Sequence, residues 1–255
     1  MSTTPSPDDL RALWKADDSQ PFTGWDFSYL SGRRIMLLPQ GIWDYPTSVL
    51  AAIDQAHAML DMDTGGGEAL ADLPRRPPDT AATEGYPANV PVARRRLAPL
   101  GIEVADVPDV AHLPFADGRF DLVTNRHGGY TPHEVWRVLA PGGLFITQQV
   151  GSQTNRRLLE LLGHPIPADD WQLSVAVSAL EEAGFRLLEQ REDYPITRYT
   201  DVGAIVYYLK AIPWTIPDFS VDRYFDKLVA LHGLMQAEGH VDVPFHQFFI
   251  RARKE

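Results

Sequence analysis

The sequence predicts an α/β fold in which a parallel sheet carries helices on both faces. Between residues 48 and 192, short apolar strands alternate with helical segments, which is typical of strand–helix–strand units. The first unit is the clearest, because the apolar run HAMLDM is followed by three consecutive glycines and by EALADLP, a short helix that Pro74 ends. In such folds ligands bind beyond the carboxyl ends of the strands, so we expect a site there.

The remaining elements follow in order along the chain. TAATE, ending at Glu84, predicts the second strand, and FDLV predicts the strand before residues 124–130. EVWRVLAPGGLFITQQVG predicts a helix, a PGG turn and a further strand, while FRLLEQRED and HQFFIRARK predict the last two strands. Outside this core, helices are expected in DDLRALWKA, in DVGAIVYYLKA before Pro213, and in SVDRYFDKLVALHGLMQAEG.

The spacing of the glycine turn restricts its ligand. A dinucleotide site requires GxGxxG, and Gly65 and Gly67 fit that pattern, whereas the third position is Leu70. Asp61, near the end of the strand, is also a poor neighbour for phosphate groups. A carboxylate there suits a ligand that offers hydroxyl groups, or a cation such as an α-ammonium group.

With Asp61 the turn reads DxDxGxG, which closely resembles the DxGxGxG motif of class I S-adenosylmethionine-dependent methyltransferases. Asp63 stands at the first glycine of that motif, and aspartate adopts left-handed backbone more readily than most residues. We expect the replacement to be tolerated; the alternative is a displaced turn and weaker cofactor binding. The resemblance covers residues 48–192 and implies a Rossmann-like seven-stranded, mostly parallel sheet, with an N-terminal lid and a helical insertion before the last strand.

The resemblance also implies residues that bind the cofactor, S-adenosyl-L-methionine. Glu84 matches the acidic residue that hydrogen-bonds the ribose hydroxyls, and Asp109 and Val110 match the pair that flanks the adenine ring. The methionine carboxylate and ammonium groups are expected along the glycine turn, whose backbone amides lie at a helix N-terminus. The predicted cofactor-binding residues are Asp61, Asp63, Thr64, Gly65, Gly67, Glu84, Asp109, Val110 and Asn125.

On the same resemblance, the chain divides into four segments. They are an N-terminal extension and lid (1–47), a cofactor-binding core (48–194), a helical substrate-cover insertion (195–244) and a final core strand (245–255).

Aromatic residues in the lid and the insertion are candidates for acceptor contacts. Trp43 and Tyr45 are expected to pack on the sulfonium or on the substrate, or else simply to bury apolar area between lid and core. Tyr207, Tyr208 and Trp214 are candidates to line a pocket for a planar or apolar acceptor, or else to seal the insertion against the sheet.

Catalytic candidates follow the fourth strand of the core, in TNRHGGYTPHE. Methyl transfer from a sulfonium is an in-line displacement, so the enzyme mainly has to position the two reactants. His127 is the candidate base for an acceptor that must lose a proton, and Tyr130 is a candidate to orient an acceptor hydroxyl group. Arg126 is a candidate to hold an acidic substrate group or the cofactor carboxylate.

Structural alternatives stand beside these roles. His127 is otherwise a satisfied polar residue at a strand end, and Arg126 otherwise pairs with Glu134 or Asp63. Gln148, with its neighbour Gln149, is expected to shape the acceptor pocket. The (D/N)PPY signature of amino-group methyltransferases is absent after this strand, which favours an oxygen, carbon or small-molecule acceptor.

Composition excludes several classes of function. The net charge of −11 opposes a large nucleic-acid footprint, and basic residues are grouped only around Arg94–Arg96, Arg156–Arg157 and the terminal RARK. There are no cysteines, and no cluster of His, Asp and Glu has the spacing of a metal site. No apolar run is long enough to span a membrane, and the N-terminus does not resemble a signal peptide, so a cytoplasmic protein is expected.

The sequence therefore predicts a methyltransferase that uses S-adenosyl-L-methionine, needs no metal and acts on a small-molecule acceptor, as a monomer or homodimer. Two alternatives remain: a member of the fold that binds the cofactor without methylating, which the Asp63 replacement suggests, and an RNA methyltransferase, which depends on the basic groups alone.

Overall fold

The computed structural model describes residues 5–22 and 25–255. In this part of the chain the strands are β1 (Arg34–Leu37), β2 (Ala58–Met62), β3 (Asp79–Glu84), β4 (Glu103–Asp106), β5 (Phe120–Arg126), β6 (Leu139–Val150), β7 (Phe185–Asp193), β8 (Ile196–Tyr199), β9 (Val241–Pro244) and β10 (Gln247–Lys254). The helices are α1 (Pro7–Ser19), α2 (Tyr45–Ile53), α3 (Glu68–Ala71), α4 (Val90–Leu97), α5 (Pro132–Val138), α6 (Arg156–Leu162), α7 (Leu173–Glu182), α8 (Val202–Ala211) and α9 (Phe225–Glu238).

These elements belong to two compact units. The core unit comprises residues 41–152, 170–193 and 247–255, and the second unit comprises residues 5–22, 25–40, 153–169 and 194–246. The N-terminal extension up to residue 40 and the insertion thus belong to the same unit, together with α6. The four segments predicted from sequence follow motif boundaries along the chain and therefore keep the extension and the insertion apart.

A seven-stranded sheet in the order β4-β3-β2-β5-β6-β10-β7 forms the centre of the core unit. The strands from β4 to β6 run parallel, and β10 pairs antiparallel with both β6 and β7. This confirms the predicted Rossmann-like sheet. Because β2 pairs with β3 on one side and with β5 on the other, the chain changes direction across the sheet at β2, and ligands bind at such switch points.

Apolar clusters cover both faces of this sheet. Met59 lies in one cluster with residues of α2 and α4, and its neighbour Leu60 lies in the other cluster with residues of α5 and α7. Successive side chains of a strand point to opposite faces, so a strand that is buried on both sides needs an unbroken apolar run. The run HAMLDM has this property, and it leads directly into the glycine turn.

Two elements differ from the prediction in detail. The expected PGG turn is part of β6, where Phe120 pairs with Leu139 and Leu122 with Leu144 around an irregularity that contains Gly142 at φ +80°. The helix expected from residue 220 begins only at Phe225, after a turn. Glycine at positive φ lets the chain form a bulge without leaving the strand.

The second unit has its own three-stranded antiparallel sheet, in the order β1-β8-β9. Its first helix, α1, begins with a capping box in which Ser6 and Asp9 satisfy each other's backbone amides. The Arg33 guanidinium donates to Asp17 (2.9 Å) and to Asp201 (2.6 Å), which joins α1 to the N-terminal end of α8. Every helix in the described residues is too short or too polar to cross a bilayer.

Candidate active site

Acidic side chains converge where β2 and β3 end. Asp61 lies opposite Thr124 in the parallel register of β2 and β5, and the Thr124 hydroxyl donates to Asp61 Oδ1 at 2.7 Å. Glu84 is the last residue of β3 and is buried, with Oε1 accepting from the backbone amide of Tyr86 at 2.7 Å. Asp63 follows β2 directly. In residues 5–22 and 25–255 none of these three carboxylates forms an ion pair with a basic side chain.

The protonation behaviour of this acidic group reflects its surroundings. Burial raises the pKa of Asp61, and burial also raises the pKa of Glu84, against the opposing effect of the Tyr86 amide. Burial raises the pKa of Asp63 to about 6, with further contributions from the charges of Glu84 and Asp61. Among residues 5–22 and 25–255 no basic side chain is paired with these three carboxyl groups, and a cationic ligand would relieve the repulsion between their charged forms.

The glycine turn adopts left-handed backbone at several positions. Asp63 has φ +52°, Gly65 has φ +66° and Gly67 has φ +79°. The neighbouring strand β3 holds the turn, because the Thr83 carbonyl accepts from the amide of Thr64 at 2.9 Å and the Thr83 hydroxyl accepts from the amide of Asp63 at 3.2 Å. Asp63 thus adopts the left-handed backbone on which its expected tolerance depends.

Gly128 makes room for the side chain of Asp63. A Cβ atom at position 128 would collide with the Cβ and carboxylate of Asp63. The backbone amide of Gly129 donates to this carboxylate and lowers its pKa against the larger effect of burial. Sequence reasoning missed this contact; its signal was the pair of glycines that follows His127 in TNRHGG.

Buried amides support the loop after β5 from inside. Asn125 is fully buried, and its Oδ1 accepts from Gln149 Nε2 at 2.6 Å. Gln149 Nε2 also donates to the carbonyl of Gly128 at 3.2 Å and to the Thr147 hydroxyl at 2.7 Å. Asn125 is predicted to bind the cofactor, and in the structure its side chain also has protein partners, which help to fix residues 125–129.

His127 and Gln148 are joined twice. The backbone amide of His127 donates to the Gln148 carbonyl at 2.8 Å, and their side-chain Nε2 atoms lie 3.0 Å apart. Gln148 Oε1 accepts from Trp43 Nε1 at 2.9 Å, so the three predicted residues form one chain of hydrogen bonds. Desolvation, together with the charge of Arg126, lowers the pKa of His127 to about 4, so its ring is neutral at pH 7.

Tyr45 lies between opposite charges. The Arg126 guanidinium lies 5.6 Å from the centre of the Tyr45 ring, and burial followed by the charge of Asp61 raises the pKa of the Tyr45 phenol. Glu134, one of the two alternative partners of Arg126, pairs instead with Arg137 at 2.8 Å. Arg126 is exposed at the end of β5, within reach of a ligand at this edge.

Three further predicted site residues, Tyr130, Val110 and Asp109, lie in the core unit and differ in their contacts. Tyr130 packs edge-on against Phe145, with 5.0 Å between ring centres, and its buried hydroxyl has no hydrogen-bond partner in the described residues. A Cβ atom at Gly129 would lie 3.9 Å from Val110, so Val110 adjoins the loop after β5. Asp109 is exposed and accepts from the backbone amide of Ala111 at 2.9 Å.

The three candidates from the insertion lie in the second unit. Tyr207 and Tyr208 are buried in its apolar cluster, and the Tyr207 hydroxyl donates to the Pro21 carbonyl at 3.2 Å. Trp214 is 64% exposed, with its ring 5.8 Å from that of Trp25.

Comparison with known proteins agrees with this fold. Residues 60–147, which run from β2 into β6, match a family of proteins described as the methyltransferase domain. A crystal structure of a putative methyltransferase from Bacillus halodurans superposes with a TM-score of 0.56 at 20% identity, over 81% of this chain and 96% of that one. At that identity the likeness shows the fold alone.

Curated relatives named demethylmenaquinone methyltransferase match part of the chain. The protein from Thermus thermophilus is 35% identical over 98 residues, which is 34% of this chain and 44% of the relative. The protein from Beutenbergia cavernae is 28% identical over 161 residues, which is 60% of this chain and 66% of the relative. The matched region therefore spans 44% to 66% of the length of these relatives.

Proposed function

Because this chain belongs to the class I S-adenosylmethionine-dependent methyltransferase family, we propose that it transfers a methyl group from S-adenosyl-L-methionine to a small molecule. The observation that carries the proposal is the group of Asp61, Asp63 and Glu84 beside the glycine turn, which has no basic partner in the described part of the chain. S-adenosyl-L-methionine bears a sulfonium and an ammonium group, so its charge complements these carboxylates.

Residues from three strand ends would hold the cofactor. We assign Asp61, Asp63 and the turn with Thr64, Gly65 and Gly67 to the methionine moiety. Glu84 is assigned to the ribose hydroxyls, since one of its carboxylate oxygens is already fixed by the Tyr86 amide. Asp109 and Val110 are assigned to the adenine ring; Val110 adjoins the loop after β5, and Asp109 begins a turn on the exposed side.

When bound, the cofactor supplies a methyl group that is already activated by the positive sulfur. What the protein has to supply is alignment of the acceptor atom with the methyl–sulfur bond, and exclusion of competing water. The hydrogen bonds described above suit this task, because Thr83 holds the glycine turn after β2 and Gln149 holds the loop after β5. We assign the exposed Arg126 and His127, the half-buried Trp43 and the buried Gln148, which bonds to both Trp43 and His127, to the acceptor side at the end of β5.

A small acceptor fits the electrostatics better than RNA. Two of the three arginines of α4 are engaged within the core unit, since Arg94 donates to the Val104 carbonyl at 3.1 Å and Arg96 pairs with Glu68. A net charge of −11 adds long-range repulsion of a polyanion. We propose an oxygen or carbon acceptor, with demethylmenaquinone, the compound in the relatives' names, as the first substrate to test.

Titration calorimetry with S-adenosylhomocysteine tests the cofactor site. We expect saturable binding, and we expect Glu84→Ala to weaken it by about 1–3 kcal/mol through lost hydrogen bonds. Glu182→Ala removes an exposed carboxylate at the end of α7 and serves as the charge-matched control, with unchanged affinity. Absence of binding at millimolar ligand would reject the proposal, and equal affinity of the Glu84 variant would reject its assigned role.

Asp63 keeps a second function open, namely a protein that binds the cofactor without methylating. Its side chain occupies space that glycine leaves free in the resembling motif, and it adds a third carboxylate to the site. Binding of S-adenosylhomocysteine without methyl transfer to any acceptor in a panel of phenols, quinols and carboxylic acids would favour this alternative.

A further inference from the structure

The chain of hydrogen bonds Trp43–Gln148–His127 has a fixed direction. An indole nitrogen only donates, so the Gln148 oxygen must face Trp43 Nε1, at 2.9 Å. The amide nitrogen of Gln148 then faces His127 Nε2, at 3.0 Å, and an amide nitrogen also only donates. His127 Nε2 must therefore be the acceptor, and the ring proton of a neutral imidazole is left on Nδ1.

The surroundings hold this arrangement in place. Gln148 is 6% exposed, and its backbone carbonyl accepts from the His127 amide at 2.8 Å. His127 has φ +65°, a left-handed conformation that is uncommon for non-glycine residues, and its backbone amide is held there by the Gln148 carbonyl. A proton on Nε2 would face the amide hydrogens of Gln148, and Arg126 adds positive charge nearby, so both contacts disfavour the imidazolium form.

We propose that Trp43 and Gln148 are positioning residues that keep His127 neutral with its proton on Nδ1, so that His127 donates a hydrogen bond to an acceptor oxygen and does not act as a base. Its Nε2 lone pair is already used by Gln148, and Nδ1 carries a hydrogen. In the described residues no protein acceptor is bonded to Nδ1, which leaves this donor for a ligand.

This arrangement defines the class of acceptor. Because His127 does not remove a proton in this arrangement, the acceptor class that it suits best binds with its oxygen already anionic, as in an ionised phenol or an enolate. In the transfer, the methyl–sulfur bond breaks as the bond to the acceptor atom forms, the electron pair stays on sulfur, and no proton passes to His127. The donor role rests on the proposed function, whereas the position of the ring proton is a property of the protein without ligands.

Nitrogen-15 NMR of the histidine rings in the full-length chain tests the proton position directly. We expect His127 at pH 7 to show a protonated Nδ1 and an unprotonated Nε2, with the signals assigned by their loss in His127→Gln. Protonation on Nε2, or a cationic ring at pH 7, would overturn the proposal whether or not the protein methylates anything.

Two variants should move the proton without deleting the histidine. Gln148→Glu offers only acceptors, so we expect the ring proton to shift to Nε2 and the pKa of His127 to rise. Gln190→Glu adds the same charge at an exposed position on β7 and should leave both signals unchanged. Trp43→Phe frees the amide to rotate, and mixed tautomers are expected; Trp136→Phe removes an indole N–H that has no partner in the described residues, and should have no such effect.

Once a methyl acceptor is known, turnover measurements distinguish His127 as a hydrogen-bond donor from His127 as a general base. His127→Gln retains a donor, and we expect it to keep more activity than His127→Phe, which should lose roughly 10²-fold in kcat. The Kd for S-adenosylhomocysteine should change less than twofold in both variants. Equal loss in both variants, with a wild-type rate that rises with pH through the His127 pKa, would identify a base and overturn the donor role. Failure to find any methylated product would overturn the proposed function and leave the tautomer result standing.

Discussion

The turn after β2 and the loop after β5 lie at the ends of adjacent strands, yet they are built in opposite ways. The turn is acidic, takes left-handed backbone at Asp63, Gly65 and Gly67, and is held from the side by Thr83 of β3. The loop carries Arg126 and is held from the interior by buried amides. One element thus derives its shape from local backbone freedom, and the other from partners elsewhere in the sheet.

The two elements meet where the Asp63 side chain packs over Gly128. This contact makes each element depend on the other, so substitutions there should show whether turn and loop are independent.

The largest change in the free energy of unfolding is expected from Asp63→Asn. Burial raises the Asp63 pKa from 3.8 to about 6, so the native state holds a proton more tightly than the unfolded state does. Below pH 3.8 both states are neutral at this group, and as the pH rises toward 6 the charged carboxylate destabilises the native state, by as much as about 3 kcal/mol above pH 6. The uncharged asparagine side chain avoids this loss, so urea unfolding should show a more stable variant at pH 7.5.

The same comparison at pH 4 provides the control, because the wild-type carboxyl group is then largely protonated and the difference should nearly vanish. A gain of equal size at both pH values would mean that charge is not the cause.

Gly128→Ala should have the next largest effect. Its methyl group would collide with Asp63, and overpacking of this kind costs about 1–3 kcal/mol of unfolding free energy. Gly129→Ala is the matched control, since the nearest atom to its new methyl group is Val110 Cγ2 at 3.9 Å.

The double variant Asp63→Gly/Gly128→Ala tests the cause. If the collision is responsible, the double variant should recover most of the stability that Gly128→Ala loses in thermal or urea unfolding. Additive effects of the two substitutions would refute the coupling between positions 63 and 128.

The smallest effect is expected from Thr83→Val. It removes the hydroxyl that accepts from the Asp63 amide, and the loss of one such hydrogen bond costs about 1 kcal/mol. Thr197→Val removes a buried hydroxyl that has no partner in the described residues, so its unfolding free energy should be unchanged or slightly higher. A cost at Thr197 equal to that at Thr83 would indicate that general packing, not the bond to the turn, is being measured.

This contrast also explains what could be predicted from sequence. The alternation of strands and helices and the glycine turn are local signals, because apolar periodicity and backbone freedom depend on neighbouring residues, and the seven-stranded sheet confirms them. The need for glycine at 128 depends on a side chain that is remote in sequence, and the partner of His127 depends on the register between β5 and β6, so neither could be inferred from one stretch of chain.

The grouping of the second unit was unpredictable for the same reason. Long-range pairs such as Arg33 with Asp201 join its N-terminal helix, its sheet and the insertion. Local sequence patterns do not predict such pairs. Tyr207 illustrates the consequence, since its ring lies 4.7 Å from that of Tyr29, in a segment far away along the chain.

The packing of Asp63 on Gly128 also constrains the order in which such a site can evolve. The three nearest atoms to a Cβ at 128 all belong to the side chain of Asp63, so aspartate at 63 makes any residue other than glycine at 128 costly. Glycine at 128 is therefore the permissive change that favours aspartate at 63, and once aspartate is present the loss of this glycine alone lowers stability. A protein engineer who wants to transplant the acidic turn into another member of the fold has to move the glycine with it.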